Sequence, residues 1–487
     1  MNVSPVANGI QATIGGKRMF EAASNGRLFA SWDSANYTIA QVIRRDLTVL
    51  RARSRREVMN NDYAKRMVQL VRNNVVGEAG FRLHSLTGSA TGKPNKAARA
   101  SIERNFKAWC RPGNCVLDTT QSMIDLQLQV VGLLVTDGEA FVYETSDSEG
   151  YKVQLIDPVL IDVDYNEPTK NIRFGIEYND NGRPVAYWMT ESYKDTSEFG
   201  YVAGVATPRI RLDASHVRHI FIREFVGQER GIPWLATSLT RLHNLSKFED
   251  AALIAGRIGA SKLGFFHSET GGQFKGNQST GTITAEPGTF QNIGNMQFTA
   301  FDPAYPGEMY DPFVSRALKG VSSGMNVDYH SIGNDMSSVN YSSARVAMLE
   351  TREYWKTIQR LLIEHLMTPV FEAWLYDRMA NEGIVGVPPS KDFSRTCLHE
   401  FVGRRWEWVD PLKEVQAKQK AVELGITSFS AIIMEQGQDP EEVYEQRRMD
   451  RELAEEYGET SPTPQEYAPD DESEQTPSGD SPPQSDD

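Results

Sequence analysis

The sequence predicts an α+β fold in which long helices bracket a mostly antiparallel sheet. Apolar residues recur at steps of three and four over 39–50, 235–259 and 344–374, the spacing of a helix face. Five short segments between Glu139 and Ile222 are rich in β-branched and aromatic residues and are separated by turn residues. A helical start followed by a run of strands is the α+β pattern.

Residues 1–35 are rich in Gly, Ala and Asn without a steady period and predict a partly disordered arm. Ile39, Val42, Ile43, Leu47 and Leu50 then mark a helix, and six arginines fall between Arg44 and Arg56. A second helix is expected from an Asp62 N-cap, burying Met67, Leu70, Val71 and Val75 and stopping at Gly77. Residues 85–95 read as a polar loop, Ile102–Trp109 as a helix ending before Pro112, and Thr120–Leu134 as another leading into Asp137-Gly138. Strands are expected at Glu139–Glu144, Val153–Ile156, Ile172–Tyr178, Val185–Met189 and Val217–Ile222, with Asn179-Asp180-Asn181-Gly182 as one turn.

Pro233 suits the first turn of a long helix. Leu235, Leu239, Leu242, Leu245, Phe248, Ala252, Ala255 and Gly259 form its stripe, and the small residues at its end permit close packing on another helix. From His267 to Glu308 the chain is rich in Gly, Thr and Asn, with brief alternating pieces at Gly281–Ala285 and Met296–Ala300. A structureless loop of that length is rare inside a compact domain, so a small projecting β-unit is expected. A short helix from Pro312 to Gly320 and a polar, turn-rich link from Asn326 to Tyr341 follow. A helix then runs from Ser342 toward Glu382, about 60 Å at about 1.5 Å per residue. Pro369 should kink it by removing one backbone donor. Three small helices close the ordered part: Asp410-Pro411 opens the first and Gly425 closes it, Ser428 and Gly437 bound the second, and Asp439-Pro440-Glu441-Glu442 starts the third, which fades at Gly458. The tail beyond is Pro, Ser, Asp and Glu, too polar to offset its ordering entropy.

The 487 residues exceed one ordinary domain and carry a formal charge of −14. Nine of the 65 acids and none of the 51 Lys and Arg residues lie in 459–487, so most of that deficit belongs to the tail. An acidic body does not wrap DNA by neutralising phosphates; contact with DNA should be loose or repulsive. Three cysteines, Cys110, Cys115 and Cys397, argue for a reducing compartment rather than a disulfide framework. No leader pattern is read at the N-terminus, and apolar runs such as Val130–Val135 fall far short of a membrane span.

Each motif with catalytic overtones has a plainer explanation. Gly88-x-x-x-Gly92-Lys93-Pro94 is one residue too short for a phosphate loop and has Pro where a magnesium-binding hydroxyl belongs; it reads as a surface turn. Gly320-Val321-Ser322-Ser323-Gly324 matches a nucleophile elbow, but a helix rather than a strand precedes it, so a helix C-terminus is the better reading. Asp162-Val163-Asp164-Tyr165-Asn166 alternates like a calcium loop, yet Glu167 stands where Gly is required and the flanking Leu155, Ile156 and Val163 say strand. Cys110-x4-Cys115 has no supporting His pair for zinc. His216 and His219 sit on an expected strand as half-buried side chains. In an acidic protein the Arg44–Arg56 cluster favours a subunit contact over nucleic acid. No catalytic constellation and no cofactor site stands up, which points to architecture.

Three segments carry a resemblance: Leu50–Leu83, with its LRARSR run and NVVG turn; His216–Ala236, HVRHIFIREFVGQERGIPWLA; and Asn340–Trp374, opened by NYSSARVAMLE. Together they resemble the lambda family of phage portal proteins, in the same order and across about residues 30–380. The resemblance implies a portal fold of wing, stem, clip and crown, assembled as a homo-oligomeric ring, a dodecamer. Residues 1–35 would be the arm, 36–232 the wing, 233–266 and 309–325 the stem helices, 267–308 the clip, and 326–341 the tunnel loop. The long kinked helix with its link would take 342–409, the crown 410–458 and the acidic tail 459–487.

It further implies a passive, non-enzymatic conduit at one vertex of a virion, assembled in the host cytoplasm. The partners implied are double-stranded DNA in the channel, the terminase large subunit, head-completion or neck proteins and the major capsid protein, with no membrane. Asp328, His330, Asn334, Asp335, Ser337 and Asn340 become channel-lining candidates. Arg241, Lys247, Arg257, Lys262, Arg316 and Lys319 become stem-helix candidates. The rival readings are a serine hydrolase using Ser322 and another structural ring of the virion neck.

Overall fold

The computed structural model describes residues 36–88, 95–190, 208–260, 264–267, 297–300, 307, 309–335, 341–381, 383–384, 393–406, 411–436, 438 and 440–457. The arm, the tail, most of 267–308, Lys93-Pro94 and residues 336–340 lie outside these.

Helix α1 (Ile39–Asn60) opens on a capping box in which Thr38 and Gln41 satisfy each other's backbone donors. Helix α2 (Asp62–Val75) follows at once. Its cap is Asn61, whose side chain accepts from the Ala64 N–H, and not Asp62 as the sequence implied. Then come β1 (Arg82–Ser85), α3 (Lys96–Trp109), α4 (Met123–Thr136), β2 (Glu139–Asp147) and β3 (Gly150–Ile156). The expected strand over 172–178 is two strands, β4 (Ile172–Arg173) and β5 (Ile176–Tyr178), because Phe174 and Gly175 turn the chain at positive φ. Next are β6 (Pro184–Thr190), β7 (Arg209–Asp213) and β8 (Val217–Phe221). The long helix α5 (Leu239–Ala260) starts later than expected, since Pro233 leads into a separate 3-10 turn, Trp234–Thr237. It also ends earlier: residues 264–267 form β9 (Gly264–His267), paired antiparallel with β10 (Gln297–Ala300). The rest are α6 (Tyr310–Met325), α7 (Tyr329–Gly333), α8 (Tyr341–Leu362), α9 (Thr368–Asn381), α10 (Phe393–Thr396), β11 (His399–Val402), α11 (Pro411–Glu423), α12 (Phe429–Glu435) and α13 (Pro440–Glu456). No described helix is long and apolar enough to cross a membrane.

The chain divides into two units. The first comprises 1–68, 132–144 and 155–334. Its sheet β4-β5-β6-β7 is antiparallel throughout, and β2 pairs antiparallel with β8, Glu139 opposite Phe221 and Tyr143 opposite Val217. Phe141, Ile156, Ile161, Ile176, Tyr187 and Leu212 form one core; Ile43 and Leu47 of α1 close a second one on Val163 and Phe174. Burying each such side chain contributes about 1.5–3 kcal/mol. The acid-rich stretch at Asp162 is a turn, not a strand, and the Arg209 guanidinium lies 2.9 Å from the Asp162 carboxylate.

The second unit comprises 69–131, 145–154 and 335–487. Phe106, Trp109, Phe371, Trp374 and Phe401 interlock edge-to-face and stacked at its centre. Here β1 pairs with β11, Arg82 opposite Val402, joining segments more than 300 residues apart. The Pro369 interruption takes the form of a π turn at Ile363–Met367 between α8 and α9. Lacking an N–H, Pro369 cannot bond the carbonyl four residues back, and the Thr368 N–H reaches Ile363 instead. Cys115 is buried with its thiol directed at backbone carbonyls, and no group of side chains that could hold a metal occurs among the described residues.

Candidate functional site

In the first unit, α5, α6 and α7 bring the stem and channel candidates together. Helix α6 lies close on the start of α5 because of its glycines. A Cβ on Gly320 would meet the Arg241 guanidinium at 1.6 Å, and one on Gly324 the Ser238 hydroxyl at 2.8 Å. Phe248 stacks on Tyr310 and Phe313, with centroids at 5.7 and 4.6 Å, and fixes the other end of the pair. Asn326 ends α6 in the left-handed region and Asn334 ends α7 in the same way. Between them the segment is a capped helix rather than the open polar link expected. The Asp328 carboxylate accepts from the Ser331 N–H at 2.9 Å and its hydroxyl at 3.1 Å, while Val327 and Ile332 are buried. Apolar anchors at both positions make it better held than its composition implied.

Of the channel candidates, Asp328 is thus an N-cap. His330 and Asp335 are half-buried, Asn334 is exposed, and Ser337 and Asn340 lie outside the described residues. Of the stem candidates, Arg241 lies across Gly320. Lys247 stands 3.8 Å from Asp250, an exposed pairing that contributes little. Arg257 and Arg316 are exposed. The Lys319 ammonium sits 5.0 Å from the Tyr329 ring centre, a cation–π contact tying α6 to α7. Lys262 lies outside the described residues. Ser322 is inside α6, buried, with no hydrogen-bond partner among the described residues. It is not on a strand-to-helix turn, so the nucleophile-elbow arrangement is absent there.

The least legible feature was the buried charge cluster at Glu139, the first residue of β2. Its carboxylate takes Arg230 at 2.8 Å, the Gly231 N–H at 2.8 Å and His219 at 2.9 Å, together with Arg51. Arg230, fully buried, also donates to the carbonyls of Phe174 at 2.6 Å and Ile161 at 3.2 Å. Beside it Arg55 bridges Asp137 at 2.7 Å and Asp157 at 2.6 Å. Three guanidiniums thus face three carboxylates. Two guanidiniums hold Glu139 well below the usual carboxylate range, although burial opposes them. Burial lowers the His219 pKa, and because a carboxylate only accepts, its Nε2 carries the proton toward Glu139.

Arg51 comes from the LRARSR run, His219 and Arg230 from HVRHIFIREFVGQERGIPWLA. Two of the three recognisable segments therefore meet on one carboxylate. The second glycine of that segment is needed because Gly231 and Gly138 cross backbone to backbone; a Cβ on Gly231 would sit 2.1 Å from the Gly138 oxygen. For Arg51 and Arg55 the subunit-contact reading is thus corrected: both are consumed inside the unit. His216 is exposed in the turn before β8, whereas His219 is covered between Phe141 and Phe221.

Comparison with known proteins adds a family. The model of the family described as phage portal protein, lambda family, matches residues 25–359. A probable portal protein of Halomonas phage phiHAP-1 is 28% identical over 446 residues, 88% of this chain and 85% of the relative. Portal protein B of Escherichia phage lambda is 22% identical over 474 residues, 87% of each chain. Among solved structures, a chain in the neck of an empty gene transfer agent particle, computed with six-fold symmetry, is 15% identical. That match covers 85% of this chain and 99% of the other, with a TM-score of 0.46.

Proposed function

The chain belongs to the lambda family of phage portal proteins, and from that premise we propose that it assembles as a dodecameric ring at one capsid vertex, through which double-stranded DNA is packaged and ejected. The observation that carries this reading is the family match over 25–359, which takes in α5, α6, α7 and most of α8. The wing would occupy 36–232, the stem helices 233–266 and 309–325, the clip 267–308, and the crown 410–458. The channel-facing segment would be 326–341.

The role is passive and non-enzymatic. A chain with net charge −14 offers few tight phosphate contacts, so DNA would slide rather than bind. The terminase large subunit, and later the neck proteins, would dock at the clip. The major capsid protein would surround the ring, formed in the host cytoplasm before it enters the virion.

The clip assignment has a direct test. Rings built from a chain lacking residues 270–300 should form, keep the wing, 36–232, folded, and fail to capture terminase in a pull-down. Packaging by heads that carry this deletion would contradict the assignment.

A further inference from the structure

Among the described residues, the three C-terminal helices show no core of their own. No described side chain from Lys413 to Tyr457 is buried. The helices α11, α12 and α13 have 13, 7 and 17 residues, and isolated helices shorter than about 12–15 residues are marginal in water. Their apolar residues nevertheless form two organised surfaces.

On α13, Met449 and Leu453 lie one turn apart and Tyr457 follows at the same spacing, with Leu453 56% and Tyr457 76% exposed. Glu445, Glu452 and Glu456 run along one flank of that stripe at helical spacing. On α11, Lys413, Ala417, Lys420 and Leu424 share a face. The chain then turns at Gly425, and Ile426 and Phe429 mark the corner into α12. Leu424 is 74%, Ile426 75% and Phe429 58% exposed, so no described residue of one copy covers this corner. The two surfaces also differ in charge. Helix α11 has three lysines against two glutamates, whereas α13 has three arginines against seven acids.

We propose that the glutamate-flanked stripe of α13 docks on the lysine-flanked α11–α12 corner of a second copy of this chain; the inference rests on the ring reading above. Because the two patches are different, the contact is head-to-tail and repeats around a closed ring. The glutamate row meets Lys413 and Lys420 at the rim, where complementary charge sets register, and the apolar residues supply the burial that each copy lacks. The C-terminal segment is then stabilised by assembly.

The test uses the full-length chain with Leu424→Cys and Leu453→Cys, each alone and together, treated with a short bismaleimide. The unsubstituted chain, with its three native cysteines, sets the background. Sizing chromatography first shows whether each variant assembles. The expected result is a ladder of covalent oligomers from the double variant only. An assembled double variant that gives no ladder, or only internally linked monomer, overturns the proposal, as does dimer formation by either single variant. If the unsubstituted chain itself stays monomeric, the ring reading fails first. As a second readout, Glu452→Lys should lower ring formation and Lys420→Glu added to it should restore it; no recovery counts against the charge pairing.

Discussion

Glu139→Gln should destabilise the first unit by about 3–5 kcal/mol, the cost of removing one partner from a buried ion pair. The substitution keeps size and shape but leaves Arg51 and Arg230 facing a neutral amide in a place that is fully buried. Arg230→Met should cost a comparable amount, because it strands the carboxylate and abandons two backbone carbonyls. The two together should cost less than their sum, since they share a partner. Urea unfolding followed by tryptophan fluorescence reads all three, and a loss below about 1 kcal/mol for Glu139→Gln would show the cluster to be dispensable.

The cluster also predicts an acid profile. The folded pKa of His219 is lowered, so as pH falls below 6.5 the unfolded chain takes a proton that the folded chain refuses, and stability declines. The folded pKa of Glu139 is also lowered, so its contribution is complete above 4.5 and is lost as pH falls toward its folded value. Asp137 works the other way: burial raises it above 3.8, so it gives back stability as pH falls through its folded value. The first loss should therefore begin near pH 6.5, and His219→Phe should remove that early step.

The second large effect concerns DNA. Asp335→Lys should leave assembly intact yet stall packaging or ejection in a salt-dependent way. If 326–341 lines the channel, every subunit would present a cation to the phosphates at one height, and such contacts weaken with ionic strength. Asp335 is the better probe than Asp328, because replacing Asp328 also removes the cap of α7. Asp335→Asn should package almost as the unchanged chain does. Packaging by Asp335→Lys at the unchanged rate in low salt would place the segment away from the channel.

What the sequence revealed and what it hid follow from the range of the interactions. Helices α1, α12 and α13 were legible because period and caps are local: the spacing of Ile39, Val42, Ile43 and Leu47 marks α1, and Ser428 announces α12 within a few residues. The β1–β11 pairing was not, since Ser85 and His399 are neighbours only after the chain has folded. Arg51 on a helix among five other arginines reads as part of a subunit contact; only Glu139, 88 residues away, makes it a buried one. In the segment 326–335, Val327 and Ile332 are isolated apolar residues in polar surroundings, and a single buried valine has no period to betray it. The motif glycine at 231 was visible as a resemblance, but its reason, the crossing with Gly138, is a fact of tertiary packing.

The central claim is that this chain builds a channel. Negative-stain imaging of the purified full-length chain, with class averages free of imposed symmetry, tests it most directly. The account predicts closed rings of twelve subunits around a stain-filled central hole. Monomers, or assemblies without a hole, would contradict it.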